Sequence, residues 1–232
     1  MSTRLPDAGL VAWWTTAWLR GHVVADQVLD ALRWMGVDGG WTALLADLRA
    51  AGATGVGIAL PVEGDPLGLG GPPAFNALAL ESGSALVAGE AGLGLWQDEV
   101  DASTWWRRAE AAPRSVPDVG EADRGLRLAL TTTANALADL DVARWRPEVA
   151  DELMDLRRPA LRPPPRGVPP ACAQLAAGGA RAARIVALAM DDDGGAVSAS
   201  EVEVRRAALL PLERASRRAL VAACSPEAWP PS

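Results

Sequence analysis

Residues 55–60 read GVGIAL, and this short apolar run between glycine and proline decides how the middle of the chain folds. A continuous apolar run bounded by turn-forming residues predicts a buried β-strand. Residues 85–88 and 93–97 predict a second and a third strand, joined by a turn over Gly89–Gly92. About two dozen residues, including a helix from Pro73, separate the first two strands, which is long enough for a parallel crossover. The last two strands should pair as a hairpin.

Helical periodicity dominates the sequence before this sheet. Apolar residues recur at spacings of three and four in three short stretches, which end near Gly21, Gly36 and Gly52. Glycine is the commonest residue just beyond the end of a helix, because it adopts the left-handed conformation without steric cost. Three short amphipathic helices are therefore predicted ahead of the first strand.

Beyond residues 111–117 (AAPRSVP), every periodic segment predicts a helix. Asp118 and Glu121 have the spacing of a capping box, which predicts that a helix begins there. Leucines on one face of that helix are expected to be buried, namely Leu126, Leu130, Leu137 and Leu140. Three more helices are predicted, one from Pro147, one over 171–190 and one over 198–223, which Pro211 should kink or break.

These elements predict an α+β fold that is predominantly helical. N-terminal helices and a small three-stranded mixed sheet should pack on a C-terminal four-helix assembly. We expect one part over residues 1–112 and a helical bundle over 118–232, and the two could pack as one domain. Residues 159–170 contain six prolines and should interrupt the bundle as an extended spacer.

Composition excludes several kinds of chemistry. The sequence contains no lysine, which removes phosphate-loop, Schiff-base and general-base roles for that residue. The single histidine, His22, makes a histidine-centred metal site improbable. No cofactor and no metal site are therefore predicted, and no nucleophile–base set identifies an enzyme.

Charge and hydropathy bear on partners and location. Residues 1–156 carry 11 Arg against 22 acidic residues, whereas 157–232 carry 11 Arg against 7, so the two halves should attract each other. Overall acidity disfavours nucleic-acid binding, because affinity for phosphates needs clustered cations. No apolar run approaches the roughly 18 residues that span a bilayer. We therefore expect a soluble, cytoplasmic protein with no membrane contact.

The loop Glu63–Gly71 (EGDPLGLGG) is the strongest candidate for a functional surface, because it follows a strand and leads into a helix. It lacks the lysine and the backbone donors of a phosphate loop. A pocket for a small polar or cationic ligand would use Glu63, Asp65, Asn76 and Glu81. The alternative, which weighs more, is a structural or partner-contacting loop.

Two further motifs are weak. Asp191–Gly195 (DDDGG) suggests a divalent cation, but Ala196 and Val202 stand where a calcium loop needs glycine and glutamate, so a solvated turn is predicted. Cys172 and Cys224 are too few for a disulfide framework, although an antiparallel helix pair would place them at the same end.

The sequence favours a non-catalytic protein-interaction or assembly protein, with a protein partner or a homo-oligomer. The charge-split halves, the ten tryptophans and the proline-rich spacer support this interpretation. The alternative is a small-molecule binding protein, or a carboxylate-based enzyme, that uses the loop over residues 63–71. An enclosed pocket with carboxylates at the end of a strand would favour the alternative.

Overall fold

The structure, a computed structural model, describes residues 7–37, 40–100, 103–139, 163–191 and 199–230. Seven α-helices are present in these ranges: α1 (Asp7–Leu19), α2 (Ala25–Trp34), α3 (Trp41–Ala50), α4 (Pro73–Ser82), α5 (Val119–Asp139), α6 (Pro170–Asp191) and α7 (Ala199–Ala223). The four strands are β1 (Gly57–Ala59), β2 (Ala85–Ala88), β3 (Leu93–Val100) and β4 (Ser103–Glu110). The predicted α+β class with a helical majority is confirmed. Within the same ranges, no helix is long and apolar enough to cross a membrane.

The sheet is antiparallel throughout, and its strands follow the order β1-β2-β3-β4. β1 pairs with β2 from Gly57 opposite Val87 to Ala59 opposite Ala85. The predicted three-stranded mixed sheet is therefore wrong both in the number of strands and in the direction of the first pair. The predicted hairpin between the next two strands is confirmed.

The loop after β1 explains why β2 returns antiparallel. The N–H of Leu60 donates to the carbonyl of Leu67 at 3.1 Å, so the loop doubles back along β1. By Gly71, whose carbonyl accepts the N–H of Ala112 at 2.8 Å, the chain has returned to the end of the sheet where β1 begins. Because α4 starts from there and packs on the sheet at β3, the chain reaches the far end of the sheet before β2 begins.

β4 is the strand that the sequence pattern did not predict. In its sequence, STWWRRAE, charged residues follow the tryptophans where a buried strand would have apolar ones. Trp106 is buried, whereas Arg107 pairs with Asp98 on one face of the sheet and Arg108 pairs with Asp47 on the other. Charged side chains are common on strands at the edge of a sheet.

The two faces of the sheet belong to different cores, because side chains alternate along a strand. One face carries Ile58, Leu86 and Leu95 into the main core, which it shares with α1–α3 and the C-terminal helices. The other face packs on α4. There Phe75 lies so close to Gly94 that a Cβ at Gly94 would be 2.4 Å from the ring.

The C-terminal helices pack closely, with α7 against both α5 and α6. Asp118 Oδ1 accepts the N–H of Glu121 at 2.9 Å, which confirms the predicted start of α5. Gly179 of α6 allows close approach, since a Cβ there would lie 3.2 Å from Ala219 of α7. The helix predicted from Pro147 lies outside the described residues, so three helices of the predicted four-helix assembly are described.

Two details of these helices differ from the predictions. Leu130 is 37% exposed, because it lies at the margin of the stripe that faces α7. The buried face of α5 consists instead of Ala122, Leu126, Ala129 and Thr133. Leu137 is half-buried, and Leu140 lies outside the described residues. α7 is continuous through Pro211. Proline has no N–H for the carbonyl of Ala207, but Ala207 is exposed, so water can bond to that carbonyl instead.

Hydrogen bonds join α1 and β1 to the C-terminal end of α7. The indole Nε1 of Trp13 donates to the carbonyl of Ala223 at 3.2 Å, and Nε1 of Trp229 donates to the same carbonyl at 2.9 Å. Ser225 Oγ accepts the N–H of Ile58 at 3.3 Å. The chain after α7 therefore covers the open edge of β1.

Cys172 and Cys224 are free, fully buried thiols. The packing of Gly179 on Ala219 sets the register of α6 against α7, and this register places the two cysteines opposite each other. Burial raises the pKa of Cys172 to about 11. Burial, together with the nearby Cys172, also raises the pKa of Cys224. Both thiols are therefore protonated at neutral pH.

Candidate functional site

The structure brings two of the four predicted ligand-binding residues together. Asp65 and Asn76 both line a shallow pocket of about 190 Å³ between the loop after β1 and α4. Glu63 and Glu81 are exposed and do not line this pocket. The four residues therefore do not form one site.

Asp65 and Asn76 also have structural partners. Arg217 of α7 donates to Asp65 Oδ2 at 2.8 Å and to the carbonyl of Leu60 at 3.0 Å. Asn76 Oδ1 accepts the N–H of Gly71 at 3.1 Å. The side chain of Arg217 is only 12% exposed, so its ion pair with Asp65 is largely shielded from water. These polar groups fix the loop against α7 and α4, and ligand binding by the predicted set stays a prediction.

The weaker motifs supply no second site. In the part of the chain that the structure describes, no group of three His, Cys, Asp or Glu side chains could hold a metal. The acidic turn after α6 lies outside the described residues apart from the backbone of Asp191. His22 packs against Gly167 of the proline-rich spacer, where a Cβ would lie 2.2 Å from the imidazole Cδ2. His22 is itself exposed to solvent.

A larger cleft, of about 360 Å³, lies at the end of the sheet where β1 begins and β2 ends. It is lined by residues 52–55 before β1, by residues 88–91 after β2, by Arg20 at the end of α1, and by Pro226 and Glu227. We name it the strand-end cleft. Its volume lies within the range of pockets that bind small molecules in proteins.

The cleft exists because β1 and β2 separate there. Gly55 and Gly89 lie two positions beyond the pair Gly57–Val87 in the register of the two strands, but no backbone hydrogen bond joins them. Pro226 fills the space beside Gly55, where a Cβ would lie 2.6 Å from the proline Cγ. The backbone N–H groups of Thr54 and Gly55 consequently find no acceptor within the described residues. Both residues line the cleft, so their N–H groups are candidates for hydrogen bonds to a ligand.

Arg20 stands at one side of the cleft in a fixed orientation. Its Nε donates to the carbonyl of Thr54 at 3.3 Å, and its guanidinium lies over the ring of Trp229, 5.2 Å from the centroid. Stacking on an aromatic face restricts a guanidinium without using its N–H donors. The two terminal nitrogens of Arg20 form no hydrogen bond with any described residue. Arg20 therefore offers the forked pair of donors that binds carboxylates and phosphates.

Glu227 supplies a carboxylate that a buried arginine holds in place. Nε and Nη2 of Arg114 both donate to Glu227 Oε1 at 3.1 Å. The other oxygen, Oε2, forms no hydrogen bond with a described residue. The Glu227 side chain is 35% exposed, so it remains accessible from the cleft. Glu90 adds an exposed second carboxylate to the lining.

Arg114 also stabilises the fold around the cleft. Its Nη1 donates to the carbonyls of Ile58 and Gly68 at 2.6 and 2.8 Å, and its Nη2 donates to Ser225 Oγ at 3.0 Å. Its side chain is 1% exposed, and this burial lowers the pKa of Arg114, while Glu227 opposes the shift. Gly57 leaves room for the guanidinium, since a Cβ there would lie 2.0 Å from Nη2. All five N–H donors are therefore paired.

Sequence reasoning did not find the strand-end cleft. Its charged residues, Arg20, Glu90 and Glu227, lie in three distant segments that share no local motif. The glycines at its wall were visible only as turn signals. Glycine-rich ends of neighbouring strands are the one local feature that could have indicated a site there.

Two family models match the chain. The model described as the N-terminal domain of Rv1486c-like protein matches residues 8–121, and the model of its C-terminal domain matches residues 120–221. The two matches meet at the start of α5. No curated protein and no solved structure matches the chain. Because the two models follow each other in domain order and together span residues 8–221, the chain belongs to the family of Rv1486c-like proteins.

Proposed function

We propose that this protein binds a small polar molecule in the strand-end cleft and does so without catalysing a reaction. The observation that carries the proposal is the set of unused polar groups in one pocket. Arg20 keeps its terminal nitrogens free, Glu227 keeps one carboxylate oxygen free, and two backbone donors have no acceptor within the described residues. Polar groups in a pocket wall that folding does not use are available for a ligand.

The sequence favoured a protein partner. The geometry supports the alternative, a small-molecule binding protein, but at the strand-end cleft and not at the loop over residues 63–71. An enclosed pocket with carboxylates at the end of a strand is the feature expected of a ligand-binding protein, and the strand-end cleft has the carboxylates but is open to solvent. It lies at the start of β1, however, and not in the loop that follows the strand. In that loop the carboxylate of Asp65 already has a partner in Arg217.

Native mass spectrometry of the protein purified from its own source tests this proposal. We expect an excess mass that disappears on denaturation, and we expect Arg20→Ala to remove it. Arg33→Ala is the matched control, because Arg33 is an exposed arginine of α2 that pairs with Asp30 away from the cleft. A bare wild-type protein, or an excess mass that both variants retain, would contradict the proposal.

A protein partner remains a second candidate because of the outer edge of β4. The N–H of Ala111 donates to the carbonyl of Gly92 at 3.1 Å, so residues 111, 109 and 107 bond towards β3. Because hydrogen-bonded positions alternate along an antiparallel strand, the N–H groups of Trp106 and Arg108 point away from β3. Neither N–H has an acceptor in the described ranges, and an open edge can pair with a strand of a second copy.

Light scattering after size-exclusion chromatography tests the second candidate. Arg108→Pro removes the outward N–H and is expected to convert a dimer into a monomer, because proline cannot donate to a strand partner. Arg108→Ala removes only the side chain and should leave the dimer intact. A wild-type monomer at high concentration would exclude pairing of two copies through this edge.

We also propose that residues 1–112 and 118–232 fold as one cytoplasmic domain with both cysteines reduced. The hydrogen bonds of Trp13, Arg114 and Arg217 support this, since each joins the N-terminal part to the chain of α7 or just beyond it. A single cooperative unfolding transition is expected. Two transitions that respond to different substitutions would contradict it.

A further inference from the structure

We infer that the ligand of the strand-end cleft is a zwitterion of the amino-acid type, with a carboxylate and an ammonium group. This inference rests on the proposed function and concerns the chemical class of the ligand. It follows from the two kinds of charge in one pocket, because Arg20 is a cation while Glu90 and Glu227 are anions.

The positive side of the cleft fits a carboxylate. Arg20 presents its two terminal nitrogens as a fork, and it is held by Trp229 and by the carbonyl of Thr54. Planar guanidinium groups bind carboxylates through two parallel hydrogen bonds. The N–H groups of Thr54 and Gly55 add donors beside it that no described residue uses. A single anionic group would therefore satisfy several donors at once.

The negative side fits an ammonium group. Glu227 Oε1 accepts hydrogen bonds from Arg114, whereas Oε2 has no hydrogen-bond partner among the described residues. Glu90 adds a carboxylate that forms no ion pair within the same ranges. An ammonium group has three donors and no acceptor, so a carboxylate on this side of the cleft can bind it. Arg114 cannot bind Glu227 Oε2 as well, because all five of its N–H donors are already paired.

Ligands with one kind of charge fit less well. A phosphate or a dicarboxylate would meet Arg20 but would also face the carboxylates of Glu90 and Glu227. A polyamine would meet those carboxylates but would face the guanidinium. Like charges placed against each other disfavour a wrong ligand. Only a molecule that carries both charges satisfies both sides.

The rest of the lining limits the size of the ligand. Gly52, Gly55 and Gly89 contribute no side chains, and Ala53, Ala88, Ala91 and Pro226 contribute small apolar ones. At about 360 Å³, the cleft accommodates a small molecule and not a peptide. We therefore expect a free amino acid with a small side chain.

Isothermal titration calorimetry with free glycine, alanine, serine and proline tests the class of ligand. We expect binding of at least one of them, and an affinity about 10- to 100-fold weaker for its N-acetyl and carboxamide derivatives, which each lack one charge. Inorganic phosphate carries only negative charge and putrescine only positive charge, so neither should bind.

Variants locate the binding. Arg20→Gln and Glu90→Gln should each weaken the affinity for the amino acid by about 10-fold or more, since each removes a charged partner. Arg33→Gln, at an exposed arginine of α2 that does not line the cleft, should leave it unchanged. An affinity that neither cleft variant changes would overturn the inference.

The outcomes separate this inference from the proposed function. If the N-acetyl derivative or phosphate binds as well as the free amino acid, and Arg20→Gln abolishes that binding, the cleft binds ligands but the zwitterion inference is wrong. If no probe binds but the purified protein carries an excess mass that Arg20→Ala removes, the cleft again binds a ligand and the zwitterion inference is wrong. If no probe binds and the protein is bare, both proposals fail.

Discussion

Replacing Arg114 with leucine should destabilise the protein strongly, because Arg114 joins three separate segments from a buried position. The substitution keeps part of the aliphatic volume but removes five N–H donors. The carbonyls of Ile58 and Gly68 then lose their donor, and Glu227 loses its counter-ion. Breaking a buried ion pair by removing one partner costs about 3–5 kcal/mol. Because Glu227 is 35% exposed and can be rehydrated, we expect about 3 kcal/mol.

Urea denaturation followed by tryptophan fluorescence measures this loss, since the chain contains ten tryptophans. For a chain of this length, about 3 kcal/mol corresponds to a fall in Tm of roughly 6–12 °C. Arg127→Leu is the control, because Arg127 is 76% exposed and pairs with Asp123 along α5, where such a pair contributes about 0.3–0.5 kcal/mol. A loss below about 1 kcal/mol for Arg114→Leu, comparable to the control, would refute the reasoning.

Three further predictions use the same measurements. Gly57→Ala should lower the free energy of unfolding by more than about 2 kcal/mol, because its Cβ would lie 2.0 Å from the buried guanidinium, whereas Gly125→Ala, with open space around it in α5, should raise it by about 0.5–1 kcal/mol. Asp65→Ala should lower Tm in the absence of any ligand, since it leaves Arg217 without its ion pair; an unchanged Tm would show that Asp65 is free for another role. Burial raises the pKa of Cys172 to about 11 in the folded protein, so above pH 9 its thiol ionises in the unfolded chain first. The free energy of unfolding should therefore fall with rising pH, and it should fall less steeply in Cys172→Ala. Equal slopes would contradict this.

Helices could be predicted from this sequence because their evidence is local. Spacings of three and four located α1 to α3, and the capping residue Asp118 located the start of α5 to within one residue. Pro211 misled the prediction, because an exposed turn of a long helix supported on two sides tolerates one lost hydrogen bond.

The sheet could be predicted only in part, because the direction of its first strand pair and its last strand depend on contacts that apolar periodicity does not encode. The pattern located β1 to β3, but the direction of the first pair depended on the loop in which Leu60 bonds to Leu67. β4 was missed because its arginines pair with Asp98 on the neighbouring strand and with Asp47 on α3, and these pairs depend on strand register and on helix packing. Apolar periodicity encodes neither the loop hydrogen bond nor these ion pairs.

The candidate site could not be predicted for a related reason. The loop over residues 63–71 attracted attention because it has carboxylates and glycines, yet Arg217 from a helix 152 residues further along binds Asp65. The strand-end cleft assembles Arg20, Glu90 and Glu227 from separate segments. A sequence pattern shows which groups are present, but only the fold shows which ones remain unpaired.

The hydrogen bonds of Trp13 and Ile58 also bear on the order in which the chain folds during synthesis. Their partners, Ala223 and Ser225, lie 210 and 167 residues further along. The N–H of Ile58 at the edge of β1 therefore leaves the ribosome without its partner, and it stays unpaired until almost all of the chain has been translated. Native contacts between such distant residues slow folding and prolong the exposure of aggregation-prone strands. Synthesis of this protein should accordingly depend on chaperones that protect a nascent chain, and a truncation before Ala223 should accumulate as insoluble material.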